Sequence, residues 1–197
     1  MTSVETAGDP RADKRAAILD AALALFSERG FHGTAVPLVA ERAHVGAGTL
    51  YRYFESKEAL VNALYRRWKE ALASVLLDGF PLDAEPRVQF AECWRRLSGF
   101  ALQNPRAFVF LELHHHAPYL DEQSRAADVA VLGPLRAFAE QQKRAGALRD
   151  QPPELLMALV FGAVVGIVRA AEAGHLPVDT EEAFARSEAL VWEMIRS

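Results

Sequence analysis

Residues 30–57, GFHGTAVPLVAERAHVGAGTLYRYFESK, decide how this chain is read. Val36, Val39, Ala40 and Ala43 recur at helical spacing, so the first half is predicted to be a short amphipathic helix. Thr34 stands where an N-cap would, and Pro37 falls in the first turn, where backbone donors lack intrahelical partners. His44-Val45-Gly46 makes a turn. A second short helix follows through Phe54, with Leu50 and Phe54 facing inward and Ala47, Gly48, Thr49, Tyr51, Arg52 and Tyr53 facing outward. Ser56 then caps a longer helix that begins with Lys57.

Two short helices joined by a tight turn, with a third helix before them, make a helix-turn-helix unit. Such a unit presents the second helix of the pair to base edges while flanking groups hold phosphates. Ala47 and Gly48 are small enough to let the backbone come close to DNA. Arg52 can make a bidentate contact with guanine, and Thr49 suits a thymine methyl or a phosphate. Tyr51, Tyr53 and Lys57 are donors suited to phosphates. Thr34 is another, at a helix N-terminus where the dipole also favours an anion.

The run G-F-x-x-T-x-V-x-x-[IV]-A-x-x-A-x-V-x-x-G-T-L-Y-x-Y-F-x-S-K-x-x-L resembles the DNA-binding domain of the TetR (tetracycline repressor) family. The resemblance covers about Lys14 to Leu64, and TLYRYFESKEAL is highly specific to it. It implies a dimeric, all-α transcriptional regulator, usually a repressor released from its operator by a small molecule. It puts Thr34, Tyr51, Tyr53 and Lys57 at phosphate-contacting positions, and Ala47, Gly48, Thr49 and Arg52 at positions that face bases. Two positions depart from the family pattern. His44 stands where glycine is usual, so it must accept a left-handed conformation or the turn must differ. Gly46 stands where serine is usual, which weakens the cap by a few tenths of a kcal/mol and removes a hydroxyl.

Working outward, residues 1–8 carry no pattern and are expected to be disordered. Asp9-Pro10 opens a helix whose stripe is Ile18, Ala21, Ala22, Leu25 and Phe26, and Gly30 ends it. Downstream, Ser56 caps a long helix carrying Leu60, Val61, Leu64, Trp68 and Val75. Phe90, Trp94, Leu97 and Ala101 mark the next. Asn104-Pro105 starts another, carrying Phe108 and Leu111 until Pro118. Residues 121–145 read as helix, with Gly133-Pro134 expected to kink or break it. Pro152-Pro153 opens a very apolar helix closed by Gly174. Asp179 with Glu182 resembles a capping box for the last helix, which carries Phe184, Val191, Met194 and Ile195. No period-2 strand pattern is present. The expected fold is all-α with about nine helices: a helix-turn-helix DNA-binding domain over 9–56 and an effector-binding and dimerisation domain over 57–197.

The helix from Pro153 to Ala173 is apolar on nearly every side and must therefore be buried. The favoured reading makes it half core and half dimer interface, paired with the last helix through Leu159, Gly162, Gly166, Phe184, Val191, Met194 and Ile195. An internal core helix is the alternative. In the family these two helices build an intersubunit four-helix bundle. Family members also bind ligands inside the helical C-terminal domain, which makes Trp94, Phe108, Phe110, Tyr119, Phe138 and Phe161 candidate pocket walls, each weighed against a plain core role. His114-His115-His116 is internal, and adjacent residues on a helix point in different directions, so the three cannot all ligate one ion. A solvated helix end is the first reading, with His114 and His115 lining the pocket as the second.

Composition narrows the classes. The 197 residues are 51% hydrophobic and 24% charged, as in a globular protein, and the net charge of -4 argues against indiscriminate coating of nucleic acid. Cys93 is the only cysteine, which excludes an intrachain disulfide and a multi-cysteine metal site. The N-terminus lacks an apolar secretory core, and the run from Leu155 to Val168 is short of the ~20 residues that span a bilayer. The chain is expected to be cytoplasmic, with no membrane partner, no cofactor and no metal. No catalytic dyad or phosphate-cradling loop appears, so an enzyme is not expected. The function expected is a ligand-responsive repressor that binds a palindromic operator as a homodimer and answers to an unidentified small molecule. The alternative is a helical protein-interaction or architectural DNA-binding module without effector control.

Overall fold

The computed structural model describes residues 10–113 and 116–197. The expectations for residues 1–8, for Asp9 as a cap, and for His114 and His115 lie outside the described residues. Within them the chain is all-α: α1 (Pro10–Arg29), α2 (Val36–Arg42), α3 (Ala47–Tyr53), α4 (Lys57–Leu77), α5 (Pro86–Gln103), α6 (Pro105–Phe108), α7 (Glu122–Arg144), α8 (Pro153–Glu172) and α9 (Thr180–Ile195).

Local chemistry sets most boundaries. Gly30 takes φ 66° and ends α1. Ser56 caps α4 by accepting the Ala59 N–H at 3.0 Å. Asp179 caps α9 by accepting the Glu182 N–H at 2.8 Å, but Glu182 pairs with Arg186 rather than reaching back, so only half of the capping box forms. α6 does not continue as regular helix. Val109–Leu113 winds as a wider π-type turn, and a 3-10 turn at Ala117–Tyr119 leads into α7. The proline at 134 lies inside α7, which runs unbroken through it. On α4 the inner face is Leu60, Val61, Leu64, Leu72 and Leu76, whereas Val75 is exposed. Its position three residues after the buried Leu72 is offset by one from Leu76, which takes the core position instead.

One continuous core runs through the molecule rather than one per predicted domain. Ile18, Leu25 and Phe26 of α1, Leu50 of α3 and Leu64 of α4 belong to it, as do Phe110 and Val164. The Phe26 and Phe110 rings meet at 6.2 Å, which ties the trihelix to the segment after α6. α4 packs against α1, α5 and α7 at once, so it is the mechanical link between the two halves.

His44 answers the question raised by the missing glycine: it takes φ 54°. The N–H of Val45 bonds the Ala40 carbonyl at 3.0 Å and that of His44 bonds Glu41 at 3.0 Å, a Schellman closure of α2. A left-handed L-residue costs roughly 1–2 kcal/mol, and glycine returns about 0.5–1 of that through unfolded-state entropy. H44G is therefore expected to stabilise the protein by about 0.5–1 kcal/mol, raising Tm by ~1–4 °C. An unchanged or lower denaturation midpoint would show that His44 makes a compensating contact.

Candidate nucleic-acid interface and internal cavity

The seven residues of α3 place one buried side chain, Leu50, under an outer face of exposed Ala47, Gly48, Tyr51 and Arg52. Thr49 and Tyr53 are half-buried at the edges of that face. No cap bond from a side chain opens the helix; the Gly46 carbonyl instead accepts Thr49 and Leu50 N–H groups at 2.8 and 3.1 Å. A Cβ at Gly48 would meet nothing within 4 Å, so its smallness serves whatever approaches from outside. Arg52 and Tyr53 share a notch of about 500 Å³ with Arg11 and Lys14 from the first turns of α1. Sequence reasoning overlooked those two cations. The basic run at Arg11, Lys14 and Arg15 was the available signal.

Thr34 is a correction. It is only 1% exposed, and its hydroxyl donates to the carbonyls of Leu25 at 3.2 Å and Gly30 at 2.9 Å. The hydroxyl closes the end of α1 instead of capping α2, whose N-cap is Ala35, and its one proton is committed within the protomer. Lys57 is half-buried with its ammonium 4.2 Å from the centre of the Phe31 ring. Burial lowers its pKa against the opposing pull of Glu58.

The Phe31 ring stacks on Tyr119 at 3.9 Å, and the Tyr119 hydroxyl bonds His32 Nε2 at 2.7 Å. Tyr119 is therefore a junction between the trihelix and the rest, not a pocket wall as the sequence suggested. Asn62 of α4 holds it there. The Asn62 side-chain amide donates to the Tyr119 carbonyl at 2.8 Å while its oxygen accepts the Asp121 N–H at 2.8 Å. Arg66 grips Asp121 at 2.9 Å beside it.

A cavity of about 750 Å³ lies between α4, α5, α7 and α8. Its walls include Leu72, Leu97, Val131, Phe138, Phe161 and Trp192. Of the aromatic candidates, Phe138 and Phe161 stand in that wall. Trp94, Phe108 and Phe110 do not; they are corrected to core. Trp94 donates from Nε1 to the Phe184 carbonyl at 3.0 Å, tying α5 to α9, while Phe108 and Phe110 are at most 1% exposed.

The polar part of the wall was missed altogether. Lys69 Nζ lies 3.3 Å from Glu112 Oε1 and 3.0 Å from Asp128 Oδ1, and the Tyr65 hydroxyl donates to Asp128 at 3.1 Å. Burial alone would lower the Lys69 pKa, but Glu112, Tyr65 and Asp128 outweigh it and hold the ammonium above the ordinary lysine value. Burial pushes the Tyr65 phenol up to about 12. Burial raises Glu112 as well, with Lys69 opposing. The legible clue was a lysine inside the apolar stripe Val61, Tyr65, Leu72, Leu76.

On the far side, α8 is 20 residues long with mean hydropathy 2.0, yet only 17% of that apolar window is buried. Length and composition alone would let it cross a membrane. Leu155, Leu159, Gly162 and Gly166 form its outer stripe, beside exposed Leu190 and Met194 of α9. Phe184, Val191 and Ile195, assigned from the sequence to the interface, are instead buried within the protomer, because α9 turns that face onto α5 and α8. Among the described residues no group of three or more His, Cys, Asp or Glu side chains could hold a metal ion.

Comparison with known proteins bears on both halves. Residues 18–64 match the model for bacterial regulatory proteins of the tetR family, and residues 65–197 match that for the tetracyclin repressor-like C-terminal domain. The HTH-type transcriptional repressor KstR of Mycolicibacterium smegmatis is 43% identical over 124 residues, 57% of this chain and 58% of that protein. KstR2 of Mycobacterium tuberculosis is 31% identical over 134 residues, covering 66% of this chain and 62% of the relative. The matched stretches thus span less than two thirds of either repressor. A crystal structure of a tetR family transcription regulator from Shewanella sp. PV-4 superposes with a TM-score of 0.78 at 27% identity, covering 93% of this chain and 98% of that one.

Proposed function

The chain belongs to the tetR family of bacterial regulatory proteins, and from that premise we propose that it is a ligand-responsive DNA-binding repressor. It binds a palindromic operator as a homodimer in the cytoplasm and is released by a small molecule held in the cavity. The observation that carries this reading is α4: it begins at Lys57, four residues after the end of α3, and its middle, Tyr65 to Leu76, walls the cavity.

Each half has its task. Residues 9–56 read DNA, with Arg52, Thr49, Ala47 and Gly48 toward bases and Tyr51, Tyr53, Arg11 and Lys14 toward phosphates, joined by Lys57 from the first turn of α4. Residues 57–197 bind effector and dimerise. Two recognition helices must reach half-sites roughly 34–36 Å apart, which requires a dimer. The effector needs only differential affinity for the two arrangements of that dimer. The path for the shift is Asn62 and the Tyr119–Phe31–Lys57 stack, since α7 and the turn before it carry both a cavity wall and Tyr119.

Selection of duplexes from a random pool by the purified protein is expected to return a palindrome. R52A should relax preference at one base position per half-site, at a cost of about 1–3 kcal/mol there. K57A should weaken all duplexes evenly and lower the salt slope by about one. A pool that stays random would refute the operator reading.

A further inference from the structure

The cavity wall is not electrically neutral. Among the described residues of the wall, the Lys69 ammonium is the one cation against the two carboxyl groups of Glu112 and Asp128, so the cluster holds more acids than cations. The other charged pair among the described residues of the wall, Arg136 and Glu154, cancels itself at 2.5 Å. The hydrogen bonds within the cluster use one oxygen of each carboxylate: Lys69 bonds Glu112 Oε1, and Lys69 and Tyr65 both bond Asp128 Oδ1. Glu112 Oε2 and Asp128 Oδ2 accept no hydrogen bond among the described residues. The surrounding wall is apolar and aromatic, with Leu111, Phe138 and Phe161. A buried charge in such a wall is costly until it is paired.

We propose that the cavity takes an apolar molecule ending in one positive charge, an organic ammonium in chemical class, with that end against Glu112 and Asp128. Aromatic faces in the wall add cation–π attraction to the apolar contact. A carboxylate-ended molecule of the same length would bring a second uncompensated negative charge beside the first. A hydroxyl-ended one would satisfy an oxygen and leave the charge. The proposal deepens the ligand-responsive reading above and rests on it only for the consequence of binding.

Calorimetric titration of the full-length protein with decyltrimethylammonium, decanoate and decanol, each below its aggregation limit, tests the class. The ammonium is expected to bind one per chain and at least about tenfold more tightly than either of the others. D128N and E112Q should each reduce that preference at least about threefold, with melting curves confirming that the variants fold. The wild-type series decides alone if a variant does not. Equal or tighter binding of decanoate or decanol, or binding of none of the three, overturns the proposal. Operator titrations separate the two readings. A bound ammonium that leaves operator affinity unchanged refutes effector control but not the ligand class, and release by decanoate alone does the reverse.

Discussion

Replacing Lys69 by methionine is expected to destabilise the protein by about 3–5 kcal/mol near neutral pH, the cost of leaving the largely buried Glu112 carboxylate without its partner. The Lys69 side chain is 8% exposed, and its ammonium is the counter-charge to both Glu112 and Asp128. Methionine fills similar volume, so cavity formation contributes little and the loss reports electrostatics. The pH dependence identifies the cause. Without the cation, the burial that already raises the Glu112 pKa is unopposed in the folded variant. A carboxyl raised on folding adds stability below its unfolded pKa and loses it as pH rises through the folded value. The deficit of K69M should therefore shrink as pH falls through the carboxyl range, and E112Q in the same chain should restore part of it at neutral pH. Urea denaturation at fixed protein concentration checks this, since the proposed dimerisation would make midpoints concentration-dependent. A loss under about 1 kcal/mol, or one indifferent to pH, would sink the account.

Gly162→Arg should convert the proposed dimer to monomers and weaken operator binding by at least about 100-fold, the gain that linking two half-site contacts typically supplies. Glycine in a helix interior costs roughly 0.5–1 kcal/mol against alanine, so Gly162 and Gly166 need a reason. None exists within the protomer, because a Cβ at either position meets nothing within 4 Å. Both lie on the stripe with Leu155 and Leu159, next to Leu190, which is 70% exposed. A partner helix seated closely on that stripe explains both the glycines and the apolar surface. Arginine there fits the free protomer and wedges a charge into the pair. Sedimentation gives the oligomeric state, and operator titration at constant salt gives the affinity. A G162R protein that stays dimeric with unchanged affinity would place the interface elsewhere. Such an interface would also give a helix with membrane-like hydropathy a place in a globular assembly: one face packs on α7 and α9, and the proposed second copy would cover the other.

Local signals were legible wherever one residue's chemistry suffices. Ser56 caps α4, Gly30 closes α1, and the spacing of Val36, Val39 and Ala40 builds α2. The outer face of α3 followed from periodicity alone, since Leu50 can be buried only if Tyr51 and Arg52 point away. Signals failed where a side chain had two plausible partners. Thr34 could cap forward or bond backward, and the carbonyls of Leu25 and Gly30 won. Aromatic residues at helical spacing look alike in sequence, yet Trp94 ties α5 to α9, Tyr119 stacks on Phe31, and Phe138 walls the cavity.

The sequence by itself determined the helices, most of their ends and the family, because caps, glycines and apolar periodicity act within a few residues of one another. Only the tertiary structure decided what those helices enclose. Lys69 and Glu112 lie 43 residues apart along the chain, with Asp128 farther still, and no local rule pairs them. Packing of α4, α7 and the turn after α6 brings them to one wall. The same packing leaves one face of α8 uncovered and stacks Lys57, Phe31 and Tyr119 between the DNA-facing helices and the cavity. Long-range burial, not local preference, assigns each of those side chains its partner.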